Sequence, residues 1–337
     1  MKAGGSRRGM VLIFSLWVLG ILTILAVSVA AGIRQKIFLV ARLDERSRMD
    51  YLLEAAVKKA AGYIHQQMEV SEFQFTPAVK ANLLNNTGEL SSVTLGRDTA
   101  GIGYVVPGDG SLRWGVMDEE SKINLNKTDL QTLTNLLAGI LSLNGDDASK
   151  LAHALLDWRQ YGESQINGFY SQDYYSNLQY PYPKKNANYE TLDEMLLVKG
   201  VDKQIYRKLI NYVTIYGDGA VNINTASKEV LEALGLPEAI TEKVLTVRRG
   251  RDNLEATPDD NVFLKTFEIA ADINAVVPLT LPEARAIDLL NMKGLLTTSS
   301  YYFTIEATGK LADRTTAKPV RAVYSSRDDK IVYWNER

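Results

Sequence analysis

Twenty-four consecutive residues, Met10 to Ile33, pass without a charge near the start of this 337-residue chain. As a helix they would span about 36 Å, enough to cross a hydrocarbon core of about 30 Å with some tilt. Lys2, Arg7 and Arg8 sit on one flank only. Positive charge stays on the cytoplasmic side, so the N-terminus is expected in the cytoplasm and the bulk of the chain on the far side. A cleavable secretory signal ending at Ser28-Val29-Ala30 is the competing reading. The apolar cores of such signals usually run to about 7–15 residues, and the greater length here favours a retained single-pass anchor.

Beyond the span the composition is ordinary. Apolar residues make up 46% and charged residues 23%, which is globular usage and leaves enough chain for a sizeable core or two domains. A net charge of −2 gives no global electrostatic case for nucleic acid. The absence of cysteine excludes disulfides, thiolate nucleophiles, zinc–thiolate sites and iron–sulfur clusters, and it fits an exported protein. With only His65 and His153, a site built on imidazoles has too few parts. No P-loop or nucleophile elbow occurs, and Gly101-x-Gly103 lacks the third glycine of a dinucleotide fingerprint. The chain reads as a non-enzyme.

From Arg34 the pattern turns amphipathic with no proline before Pro77. Met49, Leu52, Leu53, Ala56, Ala60 and Ile64 fall on one helical face, while Arg46, Arg48, Asp50, Lys58 and Lys59 take other positions. One helix from about Met10 to about Glu69 accounts for this, its second half packed on a globular domain. A span, a short linker and a separate surface helix would give the same pattern.

Gly101–Val106 and Leu112–Met117 read as short strands around the turn Pro107-Gly108-Asp109-Gly110. The periodicity then becomes helical, and "KINLNKTDLQTLTNLL" (Lys122–Leu137) is echoed by "AVNINTASKEVLEALGL" (Ala220–Leu236). In each, an extended segment leads through Asn and Thr or Ser, which can accept hydrogen bonds from first-turn amides, into a helix. Two helical hairpins go with the echoes, turning at Lys199-Gly200-Val201-Asp202 and at Leu234-Gly235-Leu236-Pro237. They resemble helix-hairpin-helix units, which in many proteins grip the DNA backbone, and so raise a membrane-anchored DNA receptor as the alternative function. Pro237 has no N–H to offer a phosphate, Glu238 would repel one, and the cluster Lys243, Arg248, Arg249 and Arg251 is modest. At the C-terminus, Ser300–Ala312, Thr316–Ser326 and Lys330–Trp334 alternate like half-buried strands, the last two around Arg327-Asp328-Asp329.

A short basic leader ending in glycine, then an apolar helix running into an amphipathic stem, resembles the type IV pilins and the pseudopilins of type II secretion. "MDEESKINLN" (Met117–Asn126), "VNINTAS" (Val221–Ser227) and the terminal "KIVYWNER" sharpen the resemblance to the minor pseudopilin K (GspK) family over nearly the whole chain. The resemblance implies prepilin-peptidase cleavage between Gly9 and Met10 with methylation of the new amine. The fifth residue after that cut is Phe14, where most pilin-class subunits carry Glu. A carboxylate in a bilayer costs about 2.5–3.5 kcal/mol without a partner; the resemblance implies that this partner is the N-terminal amine of the previously assembled subunit, a pairing that a tip subunit can do without. An apolar fifth position therefore suits a tip subunit.

The expected fold class is α+β: a long transmembrane and stem helix on a small antiparallel pilin-like sheet, with a large inserted all-α domain of helix-hairpin-helix or SAM-like type. The expected divisions are a leader at 1–9, a span at 10–33, a stem at 34–75, the first part of the pilin-like domain at 76–117, an insert at 118–290 with two related helical units, and the remaining strands at 291–337. The resemblance implies a bacterial inner-membrane protein with a periplasmic C-terminal domain. It would cap the pseudopilus tip and help start its assembly for export of folded proteins, with I- and J-type minor pseudopilins, other pseudopilus subunits, prepilin peptidase and secreted substrates as partners. The resemblance implies an acid-rich loop after an "LLDW" helix that can bind calcium; here the candidates are Asp157, Glu163 and Asp173, with Gln160 and Tyr161 where acids are expected, and an aromatic-rich loop ordered by tyrosine packing is the alternative. Seven of the seventeen tyrosines fall between Tyr161 and Tyr189, a composition suited to interfaces.

Overall fold

A computed structural model describes residues 6–74, 90–105, 112–160, 172–255, 257, 259–313 and 317–336. The apolar span and the stem are one unbroken helix, α1 (Ser6–Gln74), so no linker separates them. Its most apolar 18-residue stretch, with a mean hydropathy of 2.7, is not buried against the rest of the protein. Met49 is the first buried apolar side chain, and Leu52, Leu53, Ala56, Ala60 and Ile64 succeed it along the sheet together with Val57, which completes the stripe.

The sheet is antiparallel. Strands β1 (Ser92–Leu95) and β2 (Asp98–Val105) form a hairpin, and β3 (Leu112–Trp114) and β4 (Met117–Asp118) come next in the chain. The turn expected at 107–110 lies outside the described residues. Three C-terminal strands, β9 (Tyr302–Lys310), β10 (Ala317–Ser325) and β11 (Lys330–Glu336), complete the order β1-β2-β9-β10-β11, with β3 on β2 and β4 on β9. α1 can lie close to β9 because Gly309 has no side chain: a Cβ there would come within 2.5 Å of Met49 Sδ and 3.2 Å of Leu53.

The chain leaves the sheet for the insert and rejoins it at one point, because Met117 pairs with Thr304 and Asp118 with Phe303. That point lies at the end of the sheet far from the apolar span. The Lys310 end of β9 sits beside Thr99 and is held near the start of the buried stem, where Arg48 bonds Asp98 and Asp98 accepts the Ala312 amide. The Tyr302 end pairs with Ser325, and the turn after Ser325 reaches His65 through Asp329 at 3.7 Å. From residue 48 to residue 65 the helix rises about 25 Å.

The insert repeats one plan twice, and the echo in sequence is an echo in structure. In the first unit β5 (Ile123–Asn124) leads to α2 (Leu130–Leu141), α3 (Gly145–Arg159), α4 (Gln172–Ser176) and α5 (Lys203–Leu209), and β6 (Val213–Thr214) returns parallel to β5. In the second, β7 (Val221–Asn222) leads to α6 (Lys228–Ala233), α7 (Glu238–Arg248), α8 (Ile269–Val276) and α9 (Leu281–Met292), and β8 (Leu296–Thr297) returns parallel to β7. The two units share one apolar core, separate from the core under the sheet.

The echoed asparagines do something other than start helices. Asp129 caps α2 and Ser227 caps α6. Asn124 and Asn222 instead accept the amides of Asn126 and Asn224, turning the chain. Asn126 then holds the Tyr189 backbone at both N–H and C=O, and Asn224 holds Phe263 in the same way. Each clamp fixes a distant loop against the start of its own unit, satisfying buried backbone groups that secondary structure leaves unpaired.

Candidate functional site

Where the insert meets the sheet, three consecutive acids, Asp118, Glu119 and Glu120, are buried, and each faces a different body. Burying a carboxylate is costly unless it is paired or hydrogen-bonded, so the partners define what the site does. Asp118 serves the second unit. Its Oδ2 accepts from Asn222 Nδ2 at 3.1 Å, from Ser300 Oγ at 2.6 Å and from the Thr225 hydroxyl, while Oδ1 accepts the Glu120 amide at 2.8 Å.

Glu119 joins the first unit to the sheet. Oε1 accepts from Lys122 Nζ and from Thr304 Oγ1 of β9, both at 2.6 Å, and Oε2 accepts from Thr214 Oγ1 of β6 at 2.6 Å. Arg321 of β10 stands 3.6 Å away. This explains why Thr304 is buried although strand alternation points it away from the stem: the knot covers that second face.

Glu120 takes the Tyr301 amide at the returning strand. It also lies against Gly217, where φ is +80° and an added Cβ would stand 2.7 Å from the Glu120 side chain. Glycine is therefore required there twice, by backbone and by space.

The electrostatics of the trio diverge. Burial pushes the Glu119 carboxyl up, but Lys122 and then Arg321, with the hydrogen bonds, overcome it and hold the group at about 2. Burial also lowers Lys122 from the ordinary lysine value. Glu120 has no cation in contact among the described residues: burial, opposed by the Tyr301 amide and more weakly by Arg327 but reinforced by the nearby Asp118 charge, raises it to about 7. Asp118 is raised by burial against the pull of its hydroxyl and amide donors. The arrangement joins three bodies.

The stretch stands out in the sequence as a motif, but the sequence assigns its acids no role. The available signal was three acids in a row directly after a strand, with a lysine two residues on. Their partners are Thr214, Ser300, Thr304 and Arg321, about 90 to 200 residues downstream.

The other anticipated residues fall elsewhere. Gly9 and Met10 lie in the first turns of α1, and Phe14 is exposed on the apolar span at 69%. Asp157 is fully buried near the end of α3, Asp173 is exposed at the start of α4, and Glu163 lies outside the described residues. Among the described residues no group of three or more His, Asp or Glu side chains could hold a metal ion.

Three of the four residues of the basic cluster, Lys243, Arg248 and Arg249, are engaged within the protein. Lys243 pairs with Glu283 at 2.8 Å and with the Pro278 carbonyl. Arg248 is buried on the Ile223 and Ala226 carbonyls, and Glu255 gathers Arg113, Arg248 and Arg249 at 3.3–3.8 Å. These last residues line a cleft between β3 and the second unit in which the positive charges are already met by an acid.

Residues 115–218 match the family model described as type II secretion system protein K. No curated protein matches the chain. The fold is similar to a chain in the crystal structure of the GspK–GspI–GspJ complex from the enterotoxigenic Escherichia coli type 2 secretion system, with a TM-score of 0.62 and 15% identity over 88% of this chain and 99% of that one. The matched segment starts just before the acidic trio and ends just after Gly217, so it contains the first unit and its junction. The resemblance to the K-type minor pseudopilins of type II secretion is thereby shown, by sequence over residues 115–218 and by fold over 88% of the chain.

Proposed function

We propose that this protein caps the tip of a periplasmic pseudopilus and helps start its assembly, as a structural component with no catalytic role. The observation that carries the reading is the attachment of the insert at the membrane-distal end of the sheet, where Met117 pairs with Thr304 and Asp118 with Phe303. In a filament whose helices stand parallel, that position puts a body of two helical units directly above the subunit's own sheet. Another subunit could not stack there. An uncharged Phe14 agrees with this by a separate route, since no earlier subunit offers an amine for a carboxylate to meet.

The remaining parts take their roles in order along the chain. The apolar half of α1 holds the precursor in the inner membrane with its N-terminus cytoplasmic, and the peptidase cut at Gly9–Met10 frees the amine that is then methylated. The exposed stem between Ile33 and Met49, with Ile37, Phe38, Val40 and Leu43 at 55–64% exposure, is left for contact with neighbouring helices. The two smaller minor pseudopilins, of I and J type, are the partners proposed for this chain, since the similar chain was crystallised with proteins of those names. The test is N-terminal peptide mass spectrometry on protein from its native membrane, with co-purification of the partners in detergent. A methylated N-terminus at Met10 and a stoichiometric complex with both partners are expected. A chain starting at Met1 or after Ala30 would overturn the reading.

A further inference from the structure

Calcium takes six to eight oxygens at about 2.3–2.6 Å. The described residues do not offer that. Asp157, the one buried acid of the expected loop among the described residues, has Oδ1 bound to Lys184 Nζ at 2.9 Å, with side-chain exposures of 0% and 1%. The neighbouring acids are also taken by lysine: Lys185 pairs with Glu194 at 2.8 Å and reaches Glu190 at 3.6 Å. Asp173 faces solvent.

We propose that Lys184 supplies internally the positive charge that Asp157 requires, so that this part of the insert folds without a divalent cation. The surroundings fit a permanent staple. Lys184 leads into Asn186, whose amide donates to the Trp158 carbonyl at 3.1 Å, and Tyr189 OH donates to the Leu155 carbonyl at 2.7 Å. Trp158 packs edge-on to Tyr175 and Tyr182 at 5.5 and 6.3 Å, beside the ion pair. The ammonium thus ties the segment after α4 to the end of α3 and sits 2.9 Å from the oxygen a metal would need. A second cation at that carboxylate would have to expel a buried lysine, and like charges at such range repel strongly in a poorly solvated site.

The experiment is thermal unfolding of the full-length protein in detergent, with EGTA or with calcium chloride. The melting temperature is expected to be the same in both. Lys184→Ala removes the cation from a buried carboxylate, and the melting temperature is expected to fall by roughly 6–20 °C. Ethylammonium chloride is expected to recover part of that loss in Lys184→Ala while leaving the wild type unchanged. Lys184→Arg, which keeps a cation, serves if the alanine variant does not fold, and it is expected to stay insensitive to EGTA. A wild-type protein that loses stability in EGTA, or a Lys184→Ala variant as stable as the wild type, overturns the proposal.

Discussion

Glu119 and Glu120 are adjacent, both buried and both acidic, and removing their charges should have opposite effects. Holding Glu119 at about 2 in place of the ordinary 4.5 corresponds to about 3 kcal/mol of stability at about 1.36 kcal/mol per pH unit. Glu119→Gln also strands the Lys122 ammonium, which is 2% exposed and has Glu119 at 2.6 Å. Breaking a buried pair by removing one partner costs about 3–5 kcal/mol, so the melting temperature should drop by roughly 6–20 °C at neutral pH. Glu120 is the reverse case, raised to about 7. Its ionisation within the fold costs up to about 3 kcal/mol above neutral pH. Glutamine keeps an acceptor for the Tyr301 amide and sheds that cost, so Glu120→Gln should match the wild type near about pH 5 and exceed it near about pH 8. The linkage runs in opposite directions. The Glu119 contribution is present above about pH 4.5 and fades as pH falls toward 2, whereas the Glu120 contribution is present below about pH 4.5 and fades as pH rises through 7. Thermal unfolding of both variants and the wild type across that range, in detergent, decides the matter. Equal destabilisation by the two substitutions would refute the assignment of Glu120 as an acid without a cation in contact.

Other consequences are open to the same assays. Asn224→Ala should cost at least about 2 kcal/mol, because it unpairs the Phe263 amide and two carbonyls in a site where Asn224 is 3% exposed. Asn126→Ala, at a half-buried clamp that water can reach, should cost less; equal losses in unfolding would contradict the burial argument. Gly309→Ala should destabilise by about 1–3 kcal/mol, since its Cβ meets Met49 Sδ at 2.5 Å, and Met49→Ala in the same chain should recover part of the loss. Phe14→Glu should lower secretion of a folded reporter across the outer membrane, and undiminished export would count against the argument from the fifth position.

The features legible in the sequence are those that are periodic or local. Six positions of the α1 stripe are legible because a helix repeats its buried face every three or four residues, and Met49 to Ile64 obeys that spacing. The last three strands are legible because half-buried strands alternate. β1 was not legible: four residues, three of them exposed, carry almost no pattern, and its only strand partner among the described residues is β2. The pairing that makes Lys184 the counterion of Asp157 was hidden for another reason. The two are 27 residues apart with no regular period between them, and a lysine in a tyrosine-rich coil reads as a solvated charge until its burial is seen.

The junction was hidden in the same way, and its geometry explains why three acids occupy it. Two helical units and a sheet meet where β4 pairs with β9, and each brings hydroxyl, amide or cationic donors: Thr225 and Asn222 from the second unit, Thr214 from the first, Thr304 and Arg321 from the sheet. Donors converging from three bodies need acceptors in one short stretch, and an ionised carboxylate accepts more hydrogen bonds than any other side chain. An apolar junction of equal volume would hold as well, but it would tolerate small rotations of the insert on the sheet. Carboxylates with directional bonds to three bodies resist rotation, because any turn lengthens bonds that are now 2.6 Å. Replacing Asp118 by Leu together with Asn222 by Leu unpairs the Glu120 and Asn224 amides and the Thr225 and Ser300 hydroxyls, and should therefore lower the melting temperature and raise amide hydrogen exchange across β4 and β7. A pair of substitutions that slowed exchange there would show that packing, and not the acids, sets the orientation of the insert.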